Sequence, residues 1–507
     1  MAHRVLSGDR SQTGDEVIAD ARRLATRLHV AGVGQGSRVV LLLRNDIAFL
    51  TATLAVTLLG AVAVPVNWHF TAREAAYVID DCDAAAVIGH SDLLHRQMPE
   101  WPQDLVARLL IVAVEVPEEL AAAYRLSPSV CQPPAGAEPL ADILRDHPSH
   151  EAPLPGPSSA MLYTSGTTGN PKGVLRLGQN IPNTEGYNGL FVPDARTLLP
   201  TPLYHSAPNR FGNGTFHGGG ELVLMPRFDA EDTLRLIAAH RITTMFIVPT
   251  MLIRLLKLPE AVKLRHDLSS LRHVVCAGAP CPAEVKLAIL RWWGPVLYEF
   301  YGSTETSALT WATPEDLQRK PGSVGRKVPS ATLEIHDDHG NPCPTGEIGE
   351  IYGRVATTAE FTYHKRPEDR AAIERNGLIT SGDMGYLDED GYLFLSDRKR
   401  DMIIAGGVNI YPAQIEAAIL EFPGVLDVAV FGIPDPDLGE SVCAILAPEP
   451  GQDISADAVR EFLAGRIARY MVPRTIVVDA DMPRDASGKV FKRKLREQYW
   501  ARTGRSI

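Results

Sequence analysis

Residues Tyr163 to Gly173 read YTSGTTGNPKG, the most informative string in the chain. It follows an apolar approach and combines hydroxyl side chains, glycines and one lysine. Glycine lets the backbone come close to an anion, while hydroxyls and main-chain N–H groups donate hydrogen bonds to it. A Walker loop would need glycine immediately before the lysine, whereas Lys172 stands between Pro171 and Gly173. The string therefore predicts a phosphate-binding loop of a kind other than the P-loop.

The residues on both sides of this loop predict a layered α/β fold. Apolar runs that suit buried strands alternate with helical patterns up to about residue 300. These runs are Val39–Leu43, Ala84–Ile88, Leu109–Val114, Glu221–Met225, Thr244–Val248 and Leu271–Ala277. Alternation of this kind indicates largely parallel sheets. After residue 330, short strands and turn signals indicate a β-rich subregion, which the charged run Asp397 to Asp401 (DRKRD) separates from a last segment with its own helices and strands.

Length and charge limit the classes of protein. The chain has 507 residues, and a prior of roughly 150 residues per domain predicts two to four units. Acidic residues outnumber basic ones by 61 to 50, which gives a formal net charge of -11. Such a charge repels polyanions, so nucleic acid is not expected as a partner. We interpret the basic run Lys489 to Arg496 as a solvated helix face.

Cysteine usage and hydropathy indicate the cellular compartment in which the protein is expected. The six cysteines are scattered without a CxxC pair, and the N-terminus lacks a charged-then-apolar secretory pattern. The thiols are expected to stay reduced in the cytoplasm, and no structural metal is predicted. Residues Ile47 to Val66 are uncharged over about the length of a membrane span. Because Leu50, Leu54 and Leu58 recur at helical spacing and Gly60 can end a helix, we predict a helix, a turn and a buried strand there, with no transmembrane segment.

Further strings resemble the motifs of one family, in that family's order. They are PLYH (Pro202–His205), AGAP (Ala277–Pro280), EFYGSTE (Glu299–Glu305), TSGD (Thr380–Asp383) and RDASGK (Arg484–Lys489). Together with the loop at 163 to 173 they resemble the adenylate-forming superfamily of acyl-CoA synthetases, peptide-synthetase adenylation domains and luciferases. The resemblance spans nearly the whole chain.

The resemblance implies a fold and a division of the chain. The fold would be α/β, with a large N-terminal domain of αβαβα layered sheets plus the β-rich subregion, over residues 1–396. A small mobile α+β C-terminal domain would follow over residues 397–507, with its hinge at Asp397.

The resemblance also implies the nucleotide site. Expected ATP or AMP contacts are Thr164, Ser165, Gly166, Thr167, Thr168, Gly169, Lys172, Gly278, Ala279, Pro280, Glu299, Phe300, Tyr301, Gly302, Thr304, Asp383 and Arg398. Within this set Tyr301 would stack on adenine, Thr304 would contact the α-phosphate and Asp383 would accept hydrogen bonds from both ribose hydroxyls. Glu305 would hold Mg²⁺, which must offset the charge of ATP before another anion can attack.

The remaining expected residues serve catalysis and the two other substrates. The catalytic set implied by the resemblance is Lys489, Thr304, Glu305 and His205. Lys489 would bridge the carboxylate and α-phosphate oxygens, and Gly406 and Gly407 would line the coenzyme A tunnel. The acyl pocket would be formed by His205, Arg210, Phe211 and Val248. The glycine-rich run after His205 (NRFGNGTFHGGG, 209 to 220) suggests a wide pocket, since a fatty-acid pocket would show continuous apolar side chains.

The implied activity is that of an ATP-dependent ligase that makes an acyl-adenylate and then an acyl-CoA. The acid would be fatty, aryl or bulky and steroid-like, with ATP, Mg²⁺ and coenzyme A as the other participants. Two departures from the family pattern concern the thiol step: Arg400 in DRKRD, and Gln414 in PAQIE, which removes one carboxylate near the tunnel.

Three other functions stay open at the level of sequence. They are an enzyme that loads a carrier protein in trans, a luciferase-like oxygenase, and a protein that binds nucleotide without catalysis. The last is disfavoured because Lys172, Glu305, Asp383 and Lys489 are all present. The oligomeric state does not follow from the sequence, and a homodimer is one outcome.

Overall fold

The computed structural model describes residues 3–153, 160–164, 171–178, 190–398, 401–405, 408–464, 466–483, 490 and 492–500, with backbone alone at 397, 398, 409 and 493. Two large sheets lie in the N-terminal part. In the first, all strand pairs are parallel, and the strand order is Val62–Pro65, Arg38–Leu42, Ala84–His90, Leu110–Val114 and Glu138–Pro139. Parallel sheets of this kind are buried on both faces, which explains the continuous apolar runs in the sequence.

The second sheet has nine strands among the described residues and carries most of the candidate site. Its strand order is Arg326–Lys327, Ser307–Ala312, Leu297–Ser303, His273–Cys276, Thr244–Ile247, Arg196–Leu199, Glu221–Leu224, Arg4–Ser7 and Arg10–Thr13. The central strands pair in parallel, and antiparallel strands close both edges. The predicted strand runs are thus confirmed as strands of parallel sheets, with ends that shift by one or two residues.

Smaller sheets connect and follow these layers. A three-stranded antiparallel sheet is ordered Phe361–Tyr363, Lys172–Arg176 and Leu162–Thr164. The β-rich subregion is confirmed as an antiparallel sheet ordered Ala331–His336, Gly349–Val355, Leu378–Leu387 and Glu374–Arg375, with Leu393–Arg398 paired to Leu378–Leu387. The C-terminal sheet is ordered Val408–Ile410, Ile403–Ala405, Gly439–Pro448 and Val425–Asp435, with Thr475–Val478 paired in parallel to Gly439–Pro448.

Helices cover these sheets. Several begin at threonine capping boxes, such as Gly14–Val30 at Thr13 with Glu16, and Ala72–Asp81 at Thr71 with Glu74. The other α-helices are Ile47–Leu58, Ser91–Gln97, Gln103–Ala107, Glu118–Tyr124, Pro128–Cys131, Leu140–Asp146, Ser206–His217, Ala230–His240, Pro249–Leu256, Glu260–Lys263, Ala283–Trp293, Pro314–Arg319, Pro367–Ala372, Pro412–Leu420, Ala456–Leu463 and Lys492–Trp500. Short 3₁₀ turns span Met98–Glu100 and Arg469–Met471.

The uncharged segment Ile47 to Val66 folds as predicted. It forms the helix Ile47–Leu58, a turn in which Gly60 has a φ of 65°, and the strand Val62–Pro65. Both faces of this helix are buried between the two large sheets, which accounts for its lack of charge. In the part of the chain that the structure describes, no helix is both long enough and apolar enough to cross a membrane.

Candidate active site

The predicted site residues gather where the parallel strands of the nine-stranded sheet end. Arg196–Leu199 leads to His205, Thr244–Ile247 to Val248, and His273–Cys276 to the loop Ala277–Pro280. The carboxyl ends of parallel strands meet at one edge of a sheet, which is where open α/β sheets bind ligands. At this edge Gly278 has a φ of 93°, and a Cβ there would lie 3.6 Å from the Val248 side chain. The loop predicted to line adenine and the acyl-pocket valine are therefore neighbours.

The predicted phosphate loop joins two paired strands. Thr164 is opposite Lys172 and Tyr163 is opposite Gly173 in an antiparallel ladder. The hydroxyl of Tyr163 donates to Asp81 Oδ2 at 2.6 Å, so the start of the loop is tied to the end of the helix Ala72–Asp81. The hydroxyl of Tyr77, one turn earlier, donates to the carbonyl of Pro171 at 3.4 Å. Both ends of the loop are thus anchored to the same helix.

Lys172 has a defined partner. Its Nζ lies 2.9 Å from Asp369 Oδ2 and 5.4 Å from the centre of the Tyr363 ring. Asp369 lies in the first turn of the helix Pro367–Ala372, where the helix dipole favours a carboxylate. The side chain of Lys172 is nearly buried, so this cation is restrained next to the loop.

Thr304 and Glu305 occupy a tight turn between two antiparallel strands. A Cβ at Gly302 would lie 1.9 Å from the carbonyl oxygen of Ser307, so that position requires glycine. Ser307 itself has a φ of 63°. Inside the turn, Ser303 Oγ accepts from the backbone N–H of Glu305 at 3.2 Å and of Thr306 at 3.1 Å. The turn is therefore held in one shape by its own hydroxyls.

The side chains of this turn point to different partners. Thr304 Oγ1 donates to Ser206 Oγ at 3.4 Å, at the start of the helix Ser206–His217. Tyr363 donates its hydroxyl to Glu305 Oε1 at 2.9 Å. Burial, and then the charge of Glu305, raise the pKa of Tyr363, so its hydroxyl keeps the proton that it donates. The Glu305 carboxylate is therefore fixed in orientation through one oxygen.

Tyr301 and Asp383 meet across the sheet boundary. The Tyr301 hydroxyl donates to Asp383 Oδ2 at 2.8 Å. In the ladder between Leu378–Leu387 and Leu393–Arg398, the backbone of Asp383 is opposite that of Arg398. The structure thus brings Tyr301, predicted to stack on adenine, into contact with Asp383, predicted to bind ribose, and the backbone of Arg398 pairs with that of Asp383.

Glu299 has a different environment from the other nucleotide candidates. Its side chain is 2 % exposed and forms an ion pair with Lys286, which is 1 % exposed and also donates to the carbonyl of Ser323 at 2.9 Å. From Leu297 to Phe300 the strand alternates between buried and half-buried residues, and Glu299 is on the buried face. Within this structure the Glu299 carboxylate binds a lysine of the helix Ala283–Trp293.

The glycines of the helix Ser206–His217 lie close to neighbouring side chains. A Cβ at Gly212 would lie 3.0 Å from Leu203, and one at Gly214 would lie 2.9 Å from the Phe191 ring. These glycines therefore let the helix pack closely on its neighbours and do not enlarge a cavity. Phe211 is 1 % exposed and packs against Phe191 at 5.4 Å between ring centres, so in this structure it belongs to the core and does not line an open pocket.

Other predicted pocket residues do lie near the turn. His205 immediately precedes the helix, and its ring centre is 4.4 Å from that of Tyr204. Arg210 is half-buried and lies four residues after Ser206, hence on the same helix face. Because Ser206 contacts Thr304, this face of the helix borders the candidate site.

Several predicted residues lie outside the described part of the chain. They are Ser165, Gly166, Thr167, Thr168 and Gly169 of the phosphate loop, Gly406 and Gly407 of the tunnel, and Lys489. Asp397 and Arg398 are described by backbone alone. Conversely, sequence patterns gave no role to Asp81, Arg176 or Asp369, which contact the loop and the turn.

Comparison with known proteins agrees with this arrangement. Residues 2–360 match the AMP-binding enzyme family and residues 414–489 match the AMP-binding enzyme C-terminal domain. An indoleacetate–CoA ligase of Aromatoleum aromaticum is 35% identical over 94% of this chain and 91% of its own length. A long-chain-fatty-acid–CoA ligase of Mycobacterium tuberculosis is 32% identical over 98% and 94%. An anthranilate CoA ligase solved with anthranoyl-AMP superposes with a TM-score of 0.86 at 27% identity, covering 100% of this chain and 95% of the other.

The fold, with its large and small parts, and the shared edge of motif residues define an adenylate-forming enzyme. The chain belongs to the AMP-binding enzyme family and, within it, is an ATP-dependent acid:CoA ligase. Its substrates are a carboxylic acid, ATP and coenzyme A.

Proposed function

We propose that this protein activates a ring-bearing carboxylic acid of the arylacetate or aryl class at the edge formed by Lys172, the Thr304–Glu305 turn and Asp383. The observation that carries the proposal is the position of the turn. The Thr304 hydroxyl bonds Ser206, on the helix that carries the predicted acyl-pocket residues, and Glu305 bonds Tyr363, whose strand pairs with the strand after the phosphate loop. A turn between two substrates suits a reaction in which a carboxylate attacks the α-phosphate.

The chain's own groups would divide the work of this step. Thr304 would donate to the α-phosphate, Lys172 would exchange Asp369 for phosphate oxygens, and Asp383 would accept from the ribose hydroxyls. Lys489, on the strength of its motif, would bridge the carboxylate and the α-phosphate as charge develops. Groups of this kind are preorganised for the transition state, and losing one costs on the order of 10²- to 10³-fold in rate.

The turn also fits Mg²⁺. Magnesium is usually bound through one or two carboxylates plus substrate phosphates, at near-octahedral geometry. Tyr363 donates to one oxygen of Glu305, and the other oxygen would be the ligand for the metal. Among the described residues no group of three or more His, Cys, Asp or Glu side chains could hold a metal, so the rest of the shell would come from ATP and water. A magnesium ion bound there would offset part of the triphosphate charge.

Three observations support the proposed acid class. Close packing at Gly212 and Gly214 leaves the helix Ser206–His217 near its neighbours, which disfavours a steroid-sized acid. The face with Ser206 and half-buried Arg210 is polar, which disfavours a long alkyl chain. Two relatives act on or hold ring-bearing acids, by their names indoleacetate and anthranoyl-AMP. A planar ring with a polar edge satisfies all three points.

For the second half-reaction we propose that residues 397–507 form the mobile domain, hinged at Asp397. This boundary lies between the two family matches, at 2–360 and 414–489. Gly406 and Gly407 would line the path of the thiol, because small residues let a narrow pantetheine arm pass. A cytoplasmic location suits ATP and free coenzyme A, and it suits six cysteines that are all unpaired.

The proposal is tested by measuring pyrophosphate and AMP release with ATP and Mg²⁺ across indoleacetate, anthranilate, long-chain and steroid acids, each with and without coenzyme A. We expect aryl acids to exceed the others at least tenfold in kcat/KM, with AMP release that needs coenzyme A. A long-chain or steroid preference would overturn the acid class. Pyrophosphate release that ignores coenzyme A would instead indicate a carrier protein as acceptor.

The role of Glu305 is tested in the same assay. Glu305→Gln should raise the Mg²⁺ concentration needed for half-maximal pyrophosphate release. The matched control is Glu315→Gln, an exposed carboxylate on the helix Pro314–Arg319, which should leave that concentration unchanged. Equal Mg²⁺ dependence of both variants would contradict the assignment of Glu305.

A further inference from the structure

Arg176 is a half-buried cation whose guanidinium contacts the backbone of the Thr304–Glu305 turn. It lies at the end of the strand Lys172–Arg176, so it is four residues after the lysine of the phosphate loop. Its Nη2 donates to the carbonyl of Thr304 and, at 3.0 Å, to the carbonyl of Glu305. Its Nη1 donates to the carbonyl of Ala359 at 2.9 Å. One guanidinium therefore joins three segments that are far apart in sequence.

The turn needs this cation because of how its backbone is oriented. The N–H groups of Glu305 and Thr306 bond inward to Ser303 Oγ, which turns the carbonyls of Thr304 and Glu305 the other way. Two adjacent carbonyl oxygens beside a carboxylate concentrate negative charge where ATP must bring its phosphates. A buried carbonyl without a donor would also cost the desolvation of that group. Arg176 satisfies both oxygens with a single, rigid fork of donors.

The electrostatics agree with this geometry. Burial lowers the pKa of Arg176 to about 10, while the neighbouring Glu305 and Glu360 carboxylates act to raise it. The side chain therefore stays charged at neutral pH. Its position is also fixed from the side, because the guanidinium lies 5.4 Å from the centre of the Phe361 ring.

A second arginine shares that ring without touching the turn. Arg370 lies 4.6 Å from the centre of the Phe361 ring, is 8 % exposed, and pairs with Glu360 at 2.9 Å and Glu374 at 2.6 Å. Arg176 and Arg370 thus place two guanidinium groups, the first half-buried and the second buried, against one aromatic side chain. Arg176 donates to the backbone of Thr304 and Glu305, whereas in the described part of the chain Arg370 donates to Glu360 and the Phe361 carbonyl, which makes Arg370 a matched control.

We propose that Arg176 is a positioning residue for adenylation: it holds the Thr304 and Glu305 backbone so that the hydroxyl and the carboxylate meet the phosphates and their Mg²⁺. The inference rests on the proposed roles of Thr304 and Glu305. It predicts that the loss of Arg176 weakens nucleotide binding specifically in the presence of Mg²⁺, because Glu305 loses its orientation. Arg176 also connects the phosphate loop to the turn, because one short strand joins it to Lys172.

The test compares Arg176→Met with Arg370→Met in the full chain. Calorimetric titration with an α,β-methylene ATP analogue, with Mg²⁺ and with EDTA, measures binding, and urea unfolding measures stability. For Arg176→Met we expect binding with Mg²⁺ to weaken by about tenfold to hundredfold, with a change of less than about threefold in EDTA. Arg370→Met should lose comparable stability and keep the binding of the unmodified chain within about threefold.

Two results would overturn the proposal. One is binding by Arg176→Met that matches the unmodified chain, and the other is an equal loss of Mg²⁺-dependent binding in both variants, which would indicate a structural role shared by the two arginines. If Arg176→Met does not fold, Arg176→Lys and Arg370→Lys replace the pair with the same expected contrast. The outcome is independent of the acid: an unmodified chain that binds the analogue but forms no acyl-CoA would refute the proposed function and leave this comparison valid.

Discussion

Replacing Lys286 by methionine would leave Glu299 buried next to an apolar side chain. Both residues are at most 2 % exposed, and the lysine also donates to the Ser323 carbonyl at 2.9 Å. Breaking a buried ion pair from one side typically costs about 3–5 kcal/mol, since the remaining charge has no partner. Burial already raises the pKa of Glu299 against the opposing effect of Lys286, so the orphaned carboxyl would take up a proton. We therefore expect Lys286→Met to lower the free energy of unfolding by about 3 kcal/mol, the lower end of that range.

The double variant Lys286→Met, Glu299→Leu separates two roles of Glu299. If Glu299 only pairs with Lys286, replacing both by apolar side chains should recover most of the lost stability, because such exchanges are often neutral or stabilising. The KM for ATP of the double variant should then stay within about threefold of the unmodified chain, whereas a nucleotide contact by Glu299 would raise it further. Urea unfolding followed by tryptophan fluorescence, together with pyrophosphate release, measures both. A single variant that loses less than about 1 kcal/mol, or a double variant no more stable than the single one, would refute the reasoning.

Two further predictions concern acid stability and the C-terminal part. Burial acts to raise the pKa of Asp46, but hydrogen bonding to His90 and the charges of His90 and Arg10 lower it from 3.8 to about 2. The stability that this carboxylate contributes, about 2 kcal/mol, is therefore present above pH 3.8 and lost as the pH falls through 2. Urea unfolding between pH 5 and pH 2 should therefore show a steeper loss for the unmodified chain than for Asp46→Asn, and parallel curves would contradict this. Lys257, at the end of the helix Pro249–Leu256, bonds Glu449 Oε1 at 2.6 Å and the Val425 carbonyl at 3.1 Å in the C-terminal part. Lys257→Glu should change the ratio of the two half-reaction rates by up to about fivefold, which corresponds to the interaction energy of a partly exposed ion pair. Adding Glu449→Lys should restore the ratio, and a ratio that stays changed in this double variant would contradict the prediction.

The parallel core was predictable because its signal is local. Runs such as Leu271–Ala277 are apolar throughout, as strands buried on both faces must be, and the strand His273–Cys276 lies within that run. The helix Ile47–Leu58 was distinguishable from a membrane span by Gly60 and by its spacing of leucines. The order of the motifs then predicted which residues would meet at one edge of the sheet. Ends shifted by one or two residues because hydrogen bonding to neighbouring strands, and not side-chain type, sets where a strand stops.

The acid pocket was less predictable because glycine has two uses. In the helix Ser206–His217 the absence of a side chain suggested space for a bulky acid, yet Gly212 and Gly214 remove side chains on the faces toward Leu203 and Phe191. A periodicity of one helix does not tell which neighbour each face meets. The same limit applies to Phe211, whose aromatic partners come from other segments. Only tertiary packing distinguishes a glycine that opens a pocket from one that closes a contact.

The Thr304–Glu305 turn shows the same limit for catalysis. Its side chains were recognisable from the motif, but their orientation depends on Arg176 and Tyr363, which lie 128 and 58 residues away from Thr304 and Glu305, respectively. Both residues lie outside the motif EFYGSTE (Glu299–Glu305) that contains the turn. A charged side chain in an otherwise apolar strand is the one local hint, since a buried cation requires partners. For Lys172–Arg176 that hint would have identified a cation next to the turn, where its bonds to the Thr304 and Glu305 carbonyls would keep the proposed magnesium-binding carboxylate in one orientation.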